Sequence, residues 1–365
     1  LRGLGVRVPI ATTSTWGGNG LSALPALSVG DVIDAHSYGA GGQLEKNPLT
    51  SDGMIDWLAA AQVVGKPLTV TEWNAEPFPL PDRHSMPLYV AGTASYQGWD
   101  AMLQYAYSQQ AFNPGWRTAD NWHAYNDPAM LATLPAAALL YRRGDVQLAK
   151  THYVFAPPPA TLYNQEITPR TSALLRTAVG LGQLQIALPV TPELPWLKPA
   201  AVPADAQVLV DPGHALLPAD ASHVVSDTGE LSRNWQQGIY TIDTPLTQAA
   251  TGWLGERTLT LGAIEIKAHT PYASVAVQSL DGAPLGKSRS LLLSLGTRAV
   301  PKADDKTPFY VEPLKADLSI KAPAGLKLFA RDAQAQLKPL PASYKDGRYR
   351  ITLDGSYMSN WLFLK

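Results

Sequence analysis

The sequence predicts two architectures in series: an α/β unit built on parallel strands over residues 1–144, and an antiparallel β-sandwich over the remainder. Three observations lead there. The first part repeats a strand-then-helix rhythm with strand starts roughly 25 to 35 residues apart, the size of one βα unit. From Asp145 that rhythm gives way to short alternating stretches cut by Gly, Asp and Pro turns, the pattern of a sandwich. With 365 residues, the chain is also long enough for two or three separate cores.

Taken in order, "GVRVPIATTS" (5–14) is strand-like, "LSALPALSVG" (21–30) is a helix interrupted by proline, and "DVIDAHSYG" (31–39) is a second strand. "SDGMIDWLAAAQVVG" (51–65) opens on a Ser/Asp cap, places apolar residues at helical spacing and closes on Gly65, as a helix does. A third strand follows in "PLTVTEW" (67–73), then a helix within "PLYVAGTASYQGWD" (87–100). A fourth strand, "AMLQYAYS" (101–108), and a helix in "PAMLATLPAAALLYRRG" (128–144) complete about four βα units. Beyond them "DVQLAKTHYVFAP" (145–157), "GIYTIDTP" (238–245), "RTLTLGAIEIKA" (257–268), "ASVAVQSLDG" (273–282) and "RSLLLSLGTRAV" (289–300) read as strands of a sandwich over 145–300. The Pro-rich stretch 157–207 keeps periodic apolar positions and reads as an insertion packed on a sheet. Residues 301–365, with "DLSIKAP", "LKLFARD", "GRYRITLD" and "NWLFLK", read as a small C-terminal β module or an extension of the sandwich.

Composition removes several function classes. Charged residues make up 16% of the chain and the net charge is −1, so no global field attracts nucleic acid or an anionic membrane. No stretch approaches the roughly 18 uninterrupted apolar residues of a membrane span. Cysteine is absent, which excludes disulfides, a thiolate nucleophile and Cys-based zinc. The histidines show neither H-x-x-x-H nor H-E-x-x-H spacing, and no complete dinucleotide fingerprint, phosphate loop or G-x-S-x-G occurs, so no cofactor is expected. A structural cation held by loop carboxylates such as Asp304 and Asp305 stays open. The N-terminus lacks the apolar core of a signal peptide and reads as a chain that begins within a larger fold. A secreted or periplasmic location is expected where a signal precedes it.

What remains is a neutral-polar surface with 10 Trp and 15 Tyr. In "KPLTVTEWNAEP" (66–77) a run of β-formers ends abruptly in Glu72, Trp73 and Asn74. The other strands end alike: Trp16 follows the first, His36 and Tyr38 close the second, and Tyr105 and Tyr107 lie on the fourth. In barrels of parallel strands that end carries the active site, because the βα loops converge there. A carboxylate among aromatic and amide side chains suits sugars, whose C–H faces stack on rings while their hydroxyls hydrogen-bond to amides. Other readings of the same residues stand beside this one. Glu72 also fits a structural carboxylate paired with an Arg, His36 a satisfied core histidine, and Trp99 a packing residue. Asp34, alternating with His36, serves equally as an orienter or as an interior packing residue. Trp235 and Trp253 lie in strand-like runs and read as core, or in a different reading as the binding face of a carbohydrate-binding module.

With "DAHSYG" and "LTVTEWN" in this register, residues 5–144 resemble the second half of the (β/α)8 barrel of the retaining glycoside hydrolase superfamily called clan A. The β-rich remainder resembles the sandwich that often follows such barrels. The resemblance implies a half TIM-type barrel corresponding to strands five to eight, with Glu72 as the catalytic nucleophile and His36 and Tyr38 holding it. It implies Trp16, Trp73, Asn74 and Tyr105 as sugar contacts, and double-displacement hydrolysis of a β-linked polysaccharide such as cellulose or another β-glucan. Such a reaction needs a second carboxyl about 5 to 5.5 Å from the first. In that superfamily it is a Glu following an Asn on strand four, and this chain has no Asn-Glu dipeptide. Three expectations follow: the C-terminal part of a longer glycosidase, a homodimer that completes the barrel, or a glycan-binding protein without turnover. In the dimer the acid comes from the partner copy or from a local carboxylate such as Glu45 or Glu76.

Overall fold

Four parallel strands assemble in chain order into one sheet: β1 (Ser14–Thr15), β2 (Ile33–Gly39), β3 (Leu68–Ala75) and β4 (Ala101–Gln104). The short helix α1 (Leu24–Leu27), then α2 (Met54–Ala59) and α3 (Met86–Gln97), lie in the connections, and α4 (Pro128–Arg143) follows β4. The computed structural model describes residues 1–365 apart from 17–18, 77–79, 81, 110–123, 126, 304–305, 333 and 358. Asp304 and Asp305, considered above for a cation, therefore lie outside the described residues. Strand β2 sends Ile33 and Ala35 to one face and Asp34, His36 and Tyr38 to the other, as its period of two requires. The first pair joins Leu68, Val70, Leu58, Leu88 and Met130 in one core. The opposite face is polar and reaches solvent, with Thr71 and Leu103 exposed. β1 and β4 are the edges of an open sheet, and no barrel closes among the described residues.

Two sequence expectations change here. Of 5–14 only Ser14 pairs, with Thr15 beyond it, opposite Asp34 and Ala35, while 5–13 run as irregular chain. At an edge, β-propensity without a neighbouring strand does not fix a strand, and Pro9 offers no N–H. That chain is instead held at Asp31, whose N–H donates to Ile10 O at 2.7 Å and whose carboxylate accepts from Ile10 N and pairs with Arg2. The helix expected over 51–65 stops at Ala59, because Val63 leaves it to bridge Ile186 in parallel.

That bridge joins a second parallel sheet, of order β6-β5-β7, made by β5 (His152–Phe155), β6 (Gln183–Ile186) and β7 (Gln207–Leu209) with α5 (Pro159–Asn164) and α6 (Ala173–Ala178). "DVQLAKTHYVF" thus supplies a strand, but to a parallel sheet rather than to the sandwich, and 157–207 carries the crossovers of that sheet. Four-residue strands read alike in either direction, so periodicity does not separate the two cases. Buried Gln97, at the end of α3, stitches the units together. Its Nε2 donates to Val179 O (2.8 Å) and Gly182 O (2.7 Å), and its Oε1 accepts from Leu184 N (2.9 Å).

The antiparallel part begins at β8 (His223–Val225), β9 (Leu231–Asn234), β10 (Ile239–Asp243) and β11 (Thr247–Trp253). It continues through β12 (Thr258–Thr260), β13 (Ile264–Ala268), β14 (Tyr272–Ser279), β15 (Leu291–Thr297), β16 (Ala299–Ala303), β17 (Lys306–Val311) and β18 (Lys315–Lys321). It ends with β19 (Leu328–Arg331), β20 (Leu337–Leu340), β21 (Ser343–Lys345), β22 (Arg348–Asp354) and β23 (Trp361–Leu364). Nine strands form one sheet, β20-β19-β23-β15-β14-β11-β10-β9-β8, and five another, β12-β13-β18-β22-β21. One apolar layer unites them, Val275, Val277, Leu293 and Leu295 meeting Ile266, Leu318, Ile320 and Ile351. Residues 301–365 are no separate module, since β18 and β22 lie inside the five-stranded sheet and β19 and β23 inside the nine-stranded one.

The other face of the large sheet packs on α3, α4 and the turn before α3, so β11, β14 and β15 are buried on both sides. Small and polar residues line that contact. His84 Nδ1 meets Ser274 Oγ (2.7 Å), Thr133 Oγ1 donates to His84 O (2.7 Å), and Gln278 donates to Ala136 O (3.1 Å).

Candidate active site

A bulge decides what the open face of the parallel sheet displays. Between β2 and β3 the register runs Ala35 opposite Val70 and then His36 opposite Glu72, so Thr71 is an extra residue. Strict alternation from Leu68 and Val70 would send Glu72 toward the helices. The extra residue brings it beside His36 on the open face, and carries Trp73 to the buried side.

Around Glu72 the neighbours are specific. The Tyr38 hydroxyl donates to Oε2, and His36 Nδ1 lies 3.3 Å from the same oxygen. Oε1 takes no hydrogen bond among the described residues. The Glu72 side chain is 28% exposed and that of His36 16%, so both are reachable from solvent. On the far side of the imidazole, Nε2 is 3.2 Å from Asp34 Oδ2 and 2.9 Å from Thr71 Oγ1. The Thr71 hydroxyl donates to Asp34 (2.7 Å), so its oxygen is left to accept from the ring. Asp34 also accepts from Ser14 Oγ (2.5 Å) and Thr69 Oγ1 (2.8 Å). This nearly buried carboxylate is therefore a fixed post that sets the plane of His36. The Tyr38 hydroxyl is pushed well above the ordinary tyrosine range, first by burial and then by its hydrogen bond to Glu72 and the charge there. It stays a donor throughout the physiological range.

The structure thus brings Glu72, His36 and Tyr38 into contact, with Tyr105 and Glu76 near enough to act on the tyrosine. Trp16 stands 59% exposed at the end of β1. A cleft of about 260 Å³ is lined by Trp16, His36, Ser37, Tyr38, Trp57, Glu76 and Arg170, slightly below the usual size of a small-ligand pocket. Three of these residues, Ser37, Trp57 and Arg170, were not singled out from the sequence. Trp57 projects from α2 with its indole N–H on Asp52 (2.8 Å), and Arg170, from the second parallel unit, lies over the Trp57 ring at 5.8 Å. A tryptophan within a short helix of otherwise buried residues was the signal for Trp57. Arg170 gave none, because nothing in its neighbourhood links it to the first unit.

Other expected contacts fall elsewhere. Trp73 is 4% exposed and Asn74 not at all, so neither presents surface to a ligand. Asn74 is a latch: its Nδ2 donates to Tyr105 O (2.6 Å), and its Oδ1 accepts from Arg83 (3.1 Å), which pairs with buried Asp127 at 2.9 Å. The latch fixes the backbone of Tyr105, whose hydroxyl accepts from Gln109 (2.8 Å). Glu45 does not line the cleft; it sits against the Gly238 turn, where desolvation pushes its carboxyl up and the Asp82 charge adds to the shift. Trp99 is packing, at 3% exposed.

On the sandwich, Trp235 is buried and Trp253 stands edge-on to Tyr272, with centroids 4.5 Å apart. A hollow of about 680 Å³ there carries Phe309, Tyr310, Tyr357 and Trp361. Three of its polar side chains are engaged: Tyr357 donates to Leu314 O, Trp361 to Ala132 O and Asn360 to Pro128 O. Among the described residues no group of three or more His, Asp or Glu side chains is placed to hold a metal ion, and no helix is long and apolar enough to cross a membrane. Comparison with protein-family models, curated proteins and solved structures finds no match to this chain.

Proposed function

We propose that this chain carries the nucleophile half of a retaining β-glycosidase site, on a sheet equivalent to strands five to eight of a (β/α)8 barrel, and that its substrate is a β-linked polysaccharide. The observation that carries the reading is the Glu72 carboxylate, anchored through Oε2 by Tyr38 and His36 with Oε1 unengaged. In the first step Oε1 attacks the anomeric carbon and the bond to the leaving oxygen breaks. In the second, water attacks the glycosyl ester, freeing the sugar and restoring the carboxylate, with the water proton passing to solvent. Trp16, Trp57 and Tyr105 cover the apolar faces of the sugar rings at the rim.

The general acid is not visible in this chain and comes from a partner copy or from the other half of the barrel. Glu76 lies four residues beyond Glu72 on the same chain, about 13 Å of extended backbone, a poor placement for a pair that works at about 5 to 5.5 Å. That spacing favours a second reading, glycan binding without turnover. An aryl glycoside with a good leaving group separates the two, because departure of a nitrophenolate needs no acid. The enzyme reading expects a burst of nitrophenol and a 2-fluoroglycosyl adduct on Glu72 detectable by mass; oligosaccharide binding with no adduct leaves the binding reading. Molar mass in solution then directs the search. A dimer places the acid across a two-fold axis, on the partner copy.

A further inference from the structure

Away from this rim, α2, α3, α6 and the large antiparallel sheet line a partly open pocket of about 50 Å³, room for a few waters or one small ion. The charged groups lining it are two guanidiniums, Arg176 and Arg233, and one carboxyl, Asp56; all three residues are more than nine-tenths buried. Arg176 spends its N–H groups on backbone carbonyls of Pro48, Leu49, Pro169 and Arg170, which satisfy its donors without cancelling its charge. Arg233 donates to the Tyr89 hydroxyl (2.6 Å) and Lys46 O (2.9 Å), between the rings of Tyr89 and Trp235. Its Nε has no hydrogen-bond acceptor among the described residues; the Tyr240 hydroxyl has Thr93 beside it as a donor, which leaves its own O–H without an acceptor in bonding geometry.

Neither arginine forms an ion pair among the described residues. Burial pushes the Asp56 carboxyl up to about 7 against the pull of Arg233, so near neutrality it supplies only part of a counter-charge. A buried cation without a full counter-charge is costly, and two donors without acceptors add to that cost.

We infer that this cavity binds a small monovalent anion of halide size, held by Arg233 Nε and the Tyr240 hydroxyl, which fastens both parallel units to the sandwich. The test uses the full chain. Melting temperature should climb with chloride concentration and stay level in gluconate at equal ionic strength. Crystals soaked in bromide should give an anomalous peak beside Arg233 and Tyr240. Tyr240→Phe, which removes one donor and little volume, should keep the fold and weaken the chloride response several-fold; Arg233→Met should abolish it. Equal melting curves in chloride and gluconate, or a bromide-soaked cavity holding only water, would overturn the inference. Should Arg233→Met fail to fold, the Tyr240→Phe comparison and the bromide map decide alone.

Discussion

Two sheet faces in this molecule are both polar and differ in fate. On the large antiparallel sheet, Ser274, Thr251 and Gln278 face α4 and the turn before α3, where they bond to His84, to the helix and to one another; the atoms left over, Gln278 Oε1 and His84 Nε2, are sealed from solvent. On the parallel sheet, Asp34, His36, Tyr38 and Glu72 also bond to one another, but the Glu72 side chain stays 28% exposed and one of its oxygens takes no hydrogen bond among the described residues. Polar residues on a strand therefore do not by themselves mark a site. A site needs a polar group held firmly by some of its bonding capacity, with the rest left over and within reach of solvent.

The largest expected effect tests the open face. Glu72→Gln should lower glycoside cleavage by a factor on the order of 10⁴ or more, as loss of a nucleophile does, with an unchanged melting temperature. Cleavage that survives would remove Glu72 from the role. The neighbouring Trp73 should behave in the opposite way: Trp73→Ala empties a buried site and should cost about 3–5 kcal/mol, read from denaturant midpoints.

A third prediction concerns the closed face and pH. Burial pushes the His84 ring down from 6.5 to about 3, so the folded protein keeps it neutral where the unfolded chain takes up a proton. Stability from this residue is present above pH 6.5 and is lost as pH falls toward 3, at up to ~1.4 kcal/mol per pH unit. Asp56, raised from 3.8 to about 7, works the other way, its contribution being lost as pH rises through that range. The difference between wild type and His84→Gln isolates the histidine. The variant should be less stable at pH 7 by about 1–3 kcal/mol and should close the gap on acidification. A gap that stays constant from pH 7 to 4 would mean the ring is protonated in the fold.

How much of this was legible in the sequence follows the same division. The strand endings at His36, Tyr38 and Glu72 were visible because a polar residue closing a run of β-formers stands out locally. The bulge at Thr71 was not, since it exists only relative to β2, and with it went the true sides of Glu72 and Trp73. Asn74 looked like a sugar contact until Arg83 and Asp127 were seen to claim it. The direction of β5 was hidden too, because a short half-buried strand alternates alike in either kind of sheet. Most strands from β10 onward were readable, where alternation and Gly-marked turns agree.

The smallest effect sharpens the contrast between tryptophans. Trp16 is 59% exposed and Trp73 4%, so an alanine at position 16 removes little packing and should change stability by no more than about 0.5 kcal/mol. If the ring stacks on a sugar, its loss should weaken oligosaccharide binding by about 1 kcal/mol, a five- to tenfold rise in Kd measured by calorimetric titration. Trp57→Ala, across the same cleft, should add to that loss if both rings cover one glycan. The two effects would be independent of Glu72→Gln, which alters the bond-forming atom and leaves the stacking surface in place. Unchanged binding in both tryptophan variants would separate the cleft from the carboxylate and leave Glu72 as a site without its platform.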